Sequence, residues 1–212
     1  MIGQRIGNYQ LVAIIGQGGM GAVYEAVRLD TGGDQRVALK ILPADLCSDA
    51  DLVQRFFNEA RALRGIQHPG VVRLHDYGQT PDGTVYLSLE RLYGETLLQR
   101  LQRNAGALPI TEALSITRQL AEVLCAVHAH GLVHRDIKPG NVFLARIGDS
   151  ERVKLLDFGL VKVKASSAAA ETVLQTRVGL LLGTPEYMPP EQCQGLEIGP
   201  PADVYALGGM LY

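Results

Sequence analysis

The sequence predicts an α+β protein of two lobes, strand-rich first and helical second. Three observations carry this. Short apolar runs broken by Gly, Pro and Asp fill residues 1–92. Helical apolar spacing takes over in residues 93–212. The chain, at 212 residues, is long enough for two small lobes sharing a cleft.

The elements follow in order. Tyr9 to Ile15 reads as a strand ending at Gly16, and Val23 to Leu29 as its continuation. The turn residues Asp30, Thr31, Gly32, Gly33 and Asp34 lead to a third strand, Arg36 to Leu42, closed by Pro43. Ser48 and Asp51 are spaced as a capping box, and Leu52, Phe56, Ala60 and Leu63 recur at helical intervals behind them. Val71 to Tyr77 and Thr84 to Glu90 alternate as strands around a Pro81-Asp82-Gly83 turn. Ile116, Leu120, Leu124 and Val127 mark a long helix over Thr111 to His130, stopped by Gly131. Short strands are predicted at Val142 to Ala145 and Val153 to Leu156, a loop at 164–176, and a last helix from Asp203.

Composition narrows the function. Lys and Arg number 20 against 22 Asp and Glu, for a net charge of −2. Without a basic excess, nucleic acid is not the expected partner. Cys47, Cys125 and Cys193 lie far apart, which suits neither a disulfide framework nor zinc and points to a reducing cytoplasm. No apolar run here is long enough to span a bilayer.

Four motifs carry chemistry. Gly16-x-Gly18-x-x-Gly21-x-Val23 is weak alone, because glycine turns also open Rossmann folds. Here a strand, not a helix, follows it, which suits a hairpin folded over phosphates. Val37-Ala38-Leu39-Lys40 places a Lys in an apolar strand, where it needs a partner. Glu59, on the striped helix, is the candidate. His134-Arg135-Asp136-Ile137-Lys138-Pro139-Gly140-Asn141 and Asp157-Phe158-Gly159 complete the set. His128, His130 and His134 lack the acidic or thiol companions of a metal site.

In this order and spacing, the four motifs resemble the eukaryotic-like Ser/Thr protein kinases, and GETL at Gly94 to Leu97 is most similar to the bacterial branch. The resemblance implies a two-lobed kinase-like fold and transfer of the ATP γ-phosphate to Ser or Thr of a protein, autophosphorylation included. Asp136 would orient the acceptor hydroxyl and take its proton, with Lys138 offsetting charge beside it. Asn141 and Asp157 would hold Mg²⁺ through hard oxygens. Lys40, held by Glu59, would bind the α- and β-phosphates beneath Gly16, Gly18 and Gly21. Val23, Ala38 and Phe143 would enclose adenine, with Leu89 as gatekeeper and Glu90 to Leu92 as hinge. Leu63, Leu74, His134 and Phe158 match the family's stacked spine. Lys138 and Thr184 favour Ser/Thr over Tyr as acceptor.

Arg135 resembles the Arg that pairs with an activation-loop phosphate, for which Ser166, Ser167, Thr172 and Thr176 are candidates, Thr172 and Thr176 foremost. The family's APE segment reads Pro189-Pro190-Glu191 here. The family also continues with further helices beyond the position of Tyr212. An incomplete C-terminal lobe is therefore expected, leaving an apolar face at Val204, Leu207, Met210, Leu211 and Tyr212 part-covered. The alternatives to an active kinase are a weakly active or inactive nucleotide-binding module and a fragment that only docks to a partner.

Overall fold

The computed structural model describes residues 1–18, 21–30, 32, 34–157 and 185–212, except the side chains of Asp51, Leu52, Arg55, Glu59 and Pro185. The chain divides into two compact units, one of residues 1–65 and 72–92, the other of residues 66–71 and 93–212.

The first unit is built on an antiparallel sheet of β1 (Arg5–Ile6), β2 (Tyr9–Gly18), β3 (Gly21–Arg28), β4 (Arg36–Ile41), β5 (Leu74–Gln79) and β6 (Val85–Glu90), in the order β1-β2-β3-β4-β6-β5. Period-2 alternation assigns its two faces. One carries a closed apolar cluster of Tyr9, Leu11, Tyr24, Ala26, Val37, Leu39, Ile41 and Tyr86. Tyr9 meets Tyr86 edge-on at 5.6 Å between ring centres and donates its hydroxyl to Asp76 at 3.3 Å. On the other face, cross-strand pairing sets Val23 beside Lys40 and Lys40 beside Leu87. The next row holds Glu25, Ala38 and Leu89.

β2 does not break at Gly16 as its sequence suggests. It runs on to Gly18, because two bulges, at Leu11/Ala13 and Ile14/Gly16, absorb the irregularity and keep the strand paired with β3. Gly21, at φ +111°, opens β3 so close to β4 that a Cβ there would lie 2.2 Å from the carbonyl oxygen of Ile41.

After β4 the chain forms a short α1 (Ala44–Cys47) and then α2 (Ala50–Gly65). Ser48 is therefore not the cap of the long helix. It closes α1 at φ −78°, ψ −15°, and the carbonyl of Asp49 accepts the amide of Val53 at 3.0 Å, the first bond of α2. Val53, Phe56, Ala60 and Leu63 form the buried stripe. α2 packs on β5, where Phe57 approaches Tyr77 at 5.4 Å and Arg61 donates to the Tyr77 hydroxyl at 3.0 Å.

In the second unit, β7 (Gly94–Thr96), β8 (Val142–Ile147) and β9 (Ser150–Leu155) form a three-stranded antiparallel sheet. α3 (Leu97–Arg103) begins in a capping box: Gln99 N donates to Thr96 Oγ1 at 3.2 Å, and Thr96 N to Gln99 Oε1 at 2.8 Å. α4 (Ile110–Ala129) buries Ile116, Leu120, Val123, Leu124 and Val127, and Gly131 at φ +71° ends it. Residues 66–71 belong with this unit for a visible reason. Leu155 N donates to Gly70 O at 2.8 Å, and a Cβ on Gly70 would fall 2.1 Å from Val123 of α4.

Arg100 ties four elements together. It bonds Glu95 of β7 at 2.6 Å, Glu112 of α4 at 2.5 Å and Glu151 of β9 at 2.6 Å from its own place on α3. The chain closes through α5 (Pro190–Cys193) and α6 (Pro200–Leu211). α6 buries Ala202, Asp203 and Ala206, while Val204, Tyr205, Leu211 and Tyr212 are exposed. Among the described residues, no helix is long and apolar enough to cross a membrane.

Candidate active site

Three of the predicted site residues meet in the loop between α4 and β8. A single helical turn at Pro139–Asn141 folds the chain back, so that Asn141 returns to Asp136. Its Nδ2 donates to the Asp136 carbonyl at 2.7 Å and to the Asp136 carboxylate at 2.9 Å. Lys138 Nζ reaches the same carboxylate oxygen at 3.1 Å. Asp136 thus carries two donors on Oδ2, fixed in direction before any substrate arrives.

The loop is held from beneath by Asp203 of α6, a residue the motifs did not mark as part of the site. Its carboxylate is almost fully buried and accepts the backbone amides of His134 and Arg135, each at 2.8 Å, and His128 Nε2 at 2.7 Å. The available signal was slight: one carboxylate at the start of an apolar helical segment, ADVYALGGMLY. A charge there must be bonded to something.

His134 is wholly buried, and burial pushes its pKa below the ordinary histidine value. Nε2–H donates to the Leu156 carbonyl at 2.8 Å, which leaves Nδ1 as the acceptor for the amide of Asp136 at 3.3 Å. The ring is therefore a neutral strut between the loop and the strand leading to Asp157. The Asn141 carbonyl ties the same strand, accepting Leu156 N at 2.8 Å. Arg135 and Asp157 adopt positive φ, +66° and +46°. Both are outside the regions that L-residues favour, and both flank the cluster.

The remaining predicted residues are placed as follows. Lys40 is buried at 5% exposure on β4, between Val23 and Leu87. The side chain of Glu59 lies outside the described residues, and the expected ion pair with it. Gly16, paired with Val23, and Gly21 sit at the tip of the β2–β3 hairpin, where Gly18 pairs with Gly21. Ala38 pairs with Leu89, and Glu90 and Leu92 end β6 and follow it. Phe143 lies on β8, one residue past Val142. Phe158, Gly159, Thr184 and the candidate phosphorylation sites Ser166, Ser167, Thr172 and Thr176 fall outside the described residues. His128 and His134 are engaged as above, and His130 bonds the carbonyl of Ala126 at 2.8 Å.

Residues 9–212 match the family described as Protein kinase domain. This chain belongs to that family. Similar proteins include the serine/threonine-protein kinase Pkn1 of Myxococcus xanthus, 42% identical over 213 residues, which span all of this chain and 29% of Pkn1. PknA of Mycobacterium tuberculosis is 40% identical over 210 residues, 97% of this chain and 46% of PknA. Against the curated relatives it matches, this kinase domain thus spans about a quarter to a half of the length. The crystal structure of the M. tuberculosis PknI kinase domain superposes with a TM-score of 0.75 at 30% identity, covering 98% of this chain and 73% of that one. The two-lobed α+β kinase fold expected from the motifs is the fold found. The protein kinase family uses ATP and Mg²⁺ in general. The donor set here fits such a cation. Asn141 commits its amide nitrogen to Asp136, so its amide oxygen and the Asp157 carboxylate are the hard oxygens that would hold it.

Proposed function

We propose that this kinase domain transfers the γ-phosphate of ATP to Ser and Thr hydroxyls of proteins, itself among them. The observation that carries the reading is the Asp136 carboxylate, held by Asn141 at 2.9 Å and Lys138 at 3.1 Å. Phosphoryl transfer asks for positioning and charge neutralisation more than covalent help. Asp136 orients the acceptor hydroxyl and takes its proton. Lys138 stands against its carboxylate and offsets charge on the group being moved. Asn141 and Asp157 would hold Mg²⁺, which when bound supplies charge neutralisation at the phosphates.

Within the first unit, Lys40 is assigned to the α- and β-phosphates with Glu59 as its support, and Gly16, Gly18 and Gly21 to backbone contact with phosphate. Val23 and Ala38 offer apolar surface for adenine, with backbone groups of Glu90 and Leu92 for its polar edge. In the second unit, Phe143 is the corresponding apolar residue. A protein with accessible Ser or Thr is the substrate, and the cytoplasm the compartment. The test is radiolabelled phosphate transfer from ATP to a generic basic protein, followed by phosphoamino-acid analysis. Phospho-Ser and phospho-Thr are expected. Mainly phospho-Tyr, or no Mg²⁺ dependence, would contradict the reading.

A further inference from the structure

The segment that follows β6 is fastened by side chains that the motif pattern does not include. Glu90 turns its carboxylate back to the amide of Arg73, at 2.8 Å. Arg91 reaches Glu25 on β3, 66 residues away, with Nε to Oε2 at 3.0 Å. The same guanidinium donates through a terminal nitrogen to the carbonyl of Leu92. Glu25 is held on its other oxygen by Arg36. One carboxylate thus ties β3, β4 and the segment after β6 together.

Two features separate this from an ordinary surface ion pair. The side chains of Glu25 and Arg91 are only 13% and 20% exposed, so solvent screens them poorly. Position is the second. Glu25 lies in the row Glu25–Ala38–Leu89, two residues along the same face from Val23. It therefore borders the surface assigned to adenine. Because guanidinium is planar, donating at once to Glu25 and to the Leu92 carbonyl fixes the direction of that carbonyl and of the peptide around it.

We propose that Arg91, anchored by Glu25, is a positioning residue for the nucleotide base: it sets the direction of the Leu92 peptide group and so the affinity for adenine over other bases. This rests on the nucleotide-binding reading above. Arg91 touches neither the phosphates nor the acceptor. Its effect falls on base recognition and ground-state binding, not on the transfer step.

The experiment measures MgATP and MgGTP affinity by calorimetry, with KM and kcat for ATP, in the purified wild type, Arg91→Met, Arg91→Lys and Glu25→Gln. Removing a half-buried charged hydrogen bond predicts an ATP affinity about tenfold weaker in Arg91→Met, with KM raised to match, kcat within about twofold and the ATP-to-GTP preference reduced. Arg91→Lys keeps the charge but not the two-pronged geometry, and should fall between. Glu25→Gln should shift the preference the same way. ATP affinity and base preference unchanged in Arg91→Met would overturn the proposal, as would kcat and kcat/KM falling in equal proportion with KM unchanged. If Arg91→Met is too unstable to measure, Arg91→Lys decides, and wild-type base preference there counts against the proposal. A wild type that binds no nucleotide would overturn the underlying function and this inference with it, whereas binding without any effect of Arg91 overturns the inference alone.

Discussion

The carboxylate of Asp203 accepts the backbone amide of Arg135 at 2.8 Å, so the residue directly before Asp136 is pinned to a helix 68 positions later. With the amide of His134 on the same carboxylate, the loop that carries Asp136 is fastened to α6 by two bonds, and the ring of His128 ties α4 to the same point.

Asp203→Asn should therefore cost both stability and order in the loop. The amide that replaces one oxygen would face donors where an acceptor is required. The expected loss is about 3 kcal/mol, or a melting point lower by roughly 5–10 °C. A thermal melt of the purified variant reads it directly, and an unchanged midpoint would mean that the loop is held by something else.

Asp136→Asn should lower phosphate transfer by ~100-fold or more while leaving the melt near that of the wild type. Lys138→Met should cost about tenfold or more and act on kcat rather than on nucleotide affinity. Steady-state kinetics with a protein acceptor settles both. Transfer by Asp136→Asn at the wild-type rate would remove the proposed base.

His134 makes stability depend on pH in a predictable direction. Its pKa is lowered in the folded protein by burial, so the unfolded chain binds the proton more readily. Stability from this group is full above the unfolded value of about 6.5 and is lost as pH falls below it. His75, lowered chiefly by burial as well, adds to the same trend. Carboxylates held low by arginine, Glu25 and Glu95, act only at more acid pH, below about 4.5. The melting point should thus fall between pH 7 and 5, and His134→Gln should flatten part of that slope. A wild-type melting point constant over this interval would contradict the buried neutral ring.

Arg100→Met should destabilise the protein by about 1–2 kcal/mol, since it strands the partly buried Glu112 and leaves Glu95 with Arg103 alone; the more exposed Glu151 adds little. Arg100→Lys, which cannot serve three carboxylates at once, should recover less than half. Urea denaturation of the three proteins compares them on one scale.

The loop that carries Asp136 was legible because its members are close in the chain. Asp136, Lys138 and Asn141 span six residues, and one helical turn brings them together whatever lies around them. Asp203 and the Glu25–Arg91 pair were not legible, because each acts across more than sixty residues and leaves no local pattern. The fold class was readable from the shift between period 2 and helical spacing. Ser48 misled because a Ser followed by an acid three residues later is also found where one helix ends just before another starts. The course of β2 past Gly16 was hidden because its bulges fall on Val12, Ala13, Ile14 and Ile15, which bear no turn chemistry.

Those bulges make strand length itself a functional quantity. From Leu11 to Gly16 the strand advances five residues, while its partner moves only three, from Ala26 to Val23. Each surplus residue turns the chain over once, and two turns bring Gly16 back to the face of Val23. Val12, Ile14 and Ile15 are 38–50% exposed, so exchanging any of them for another strand-forming residue should matter little. Deleting one codon among them is a different kind of change. It would leave a single turn-over, and the glycine hairpin would present its opposite side. In a mutational library, this stretch should tolerate substitution freely and reject single-residue deletion, with loss of nucleotide binding as the readout.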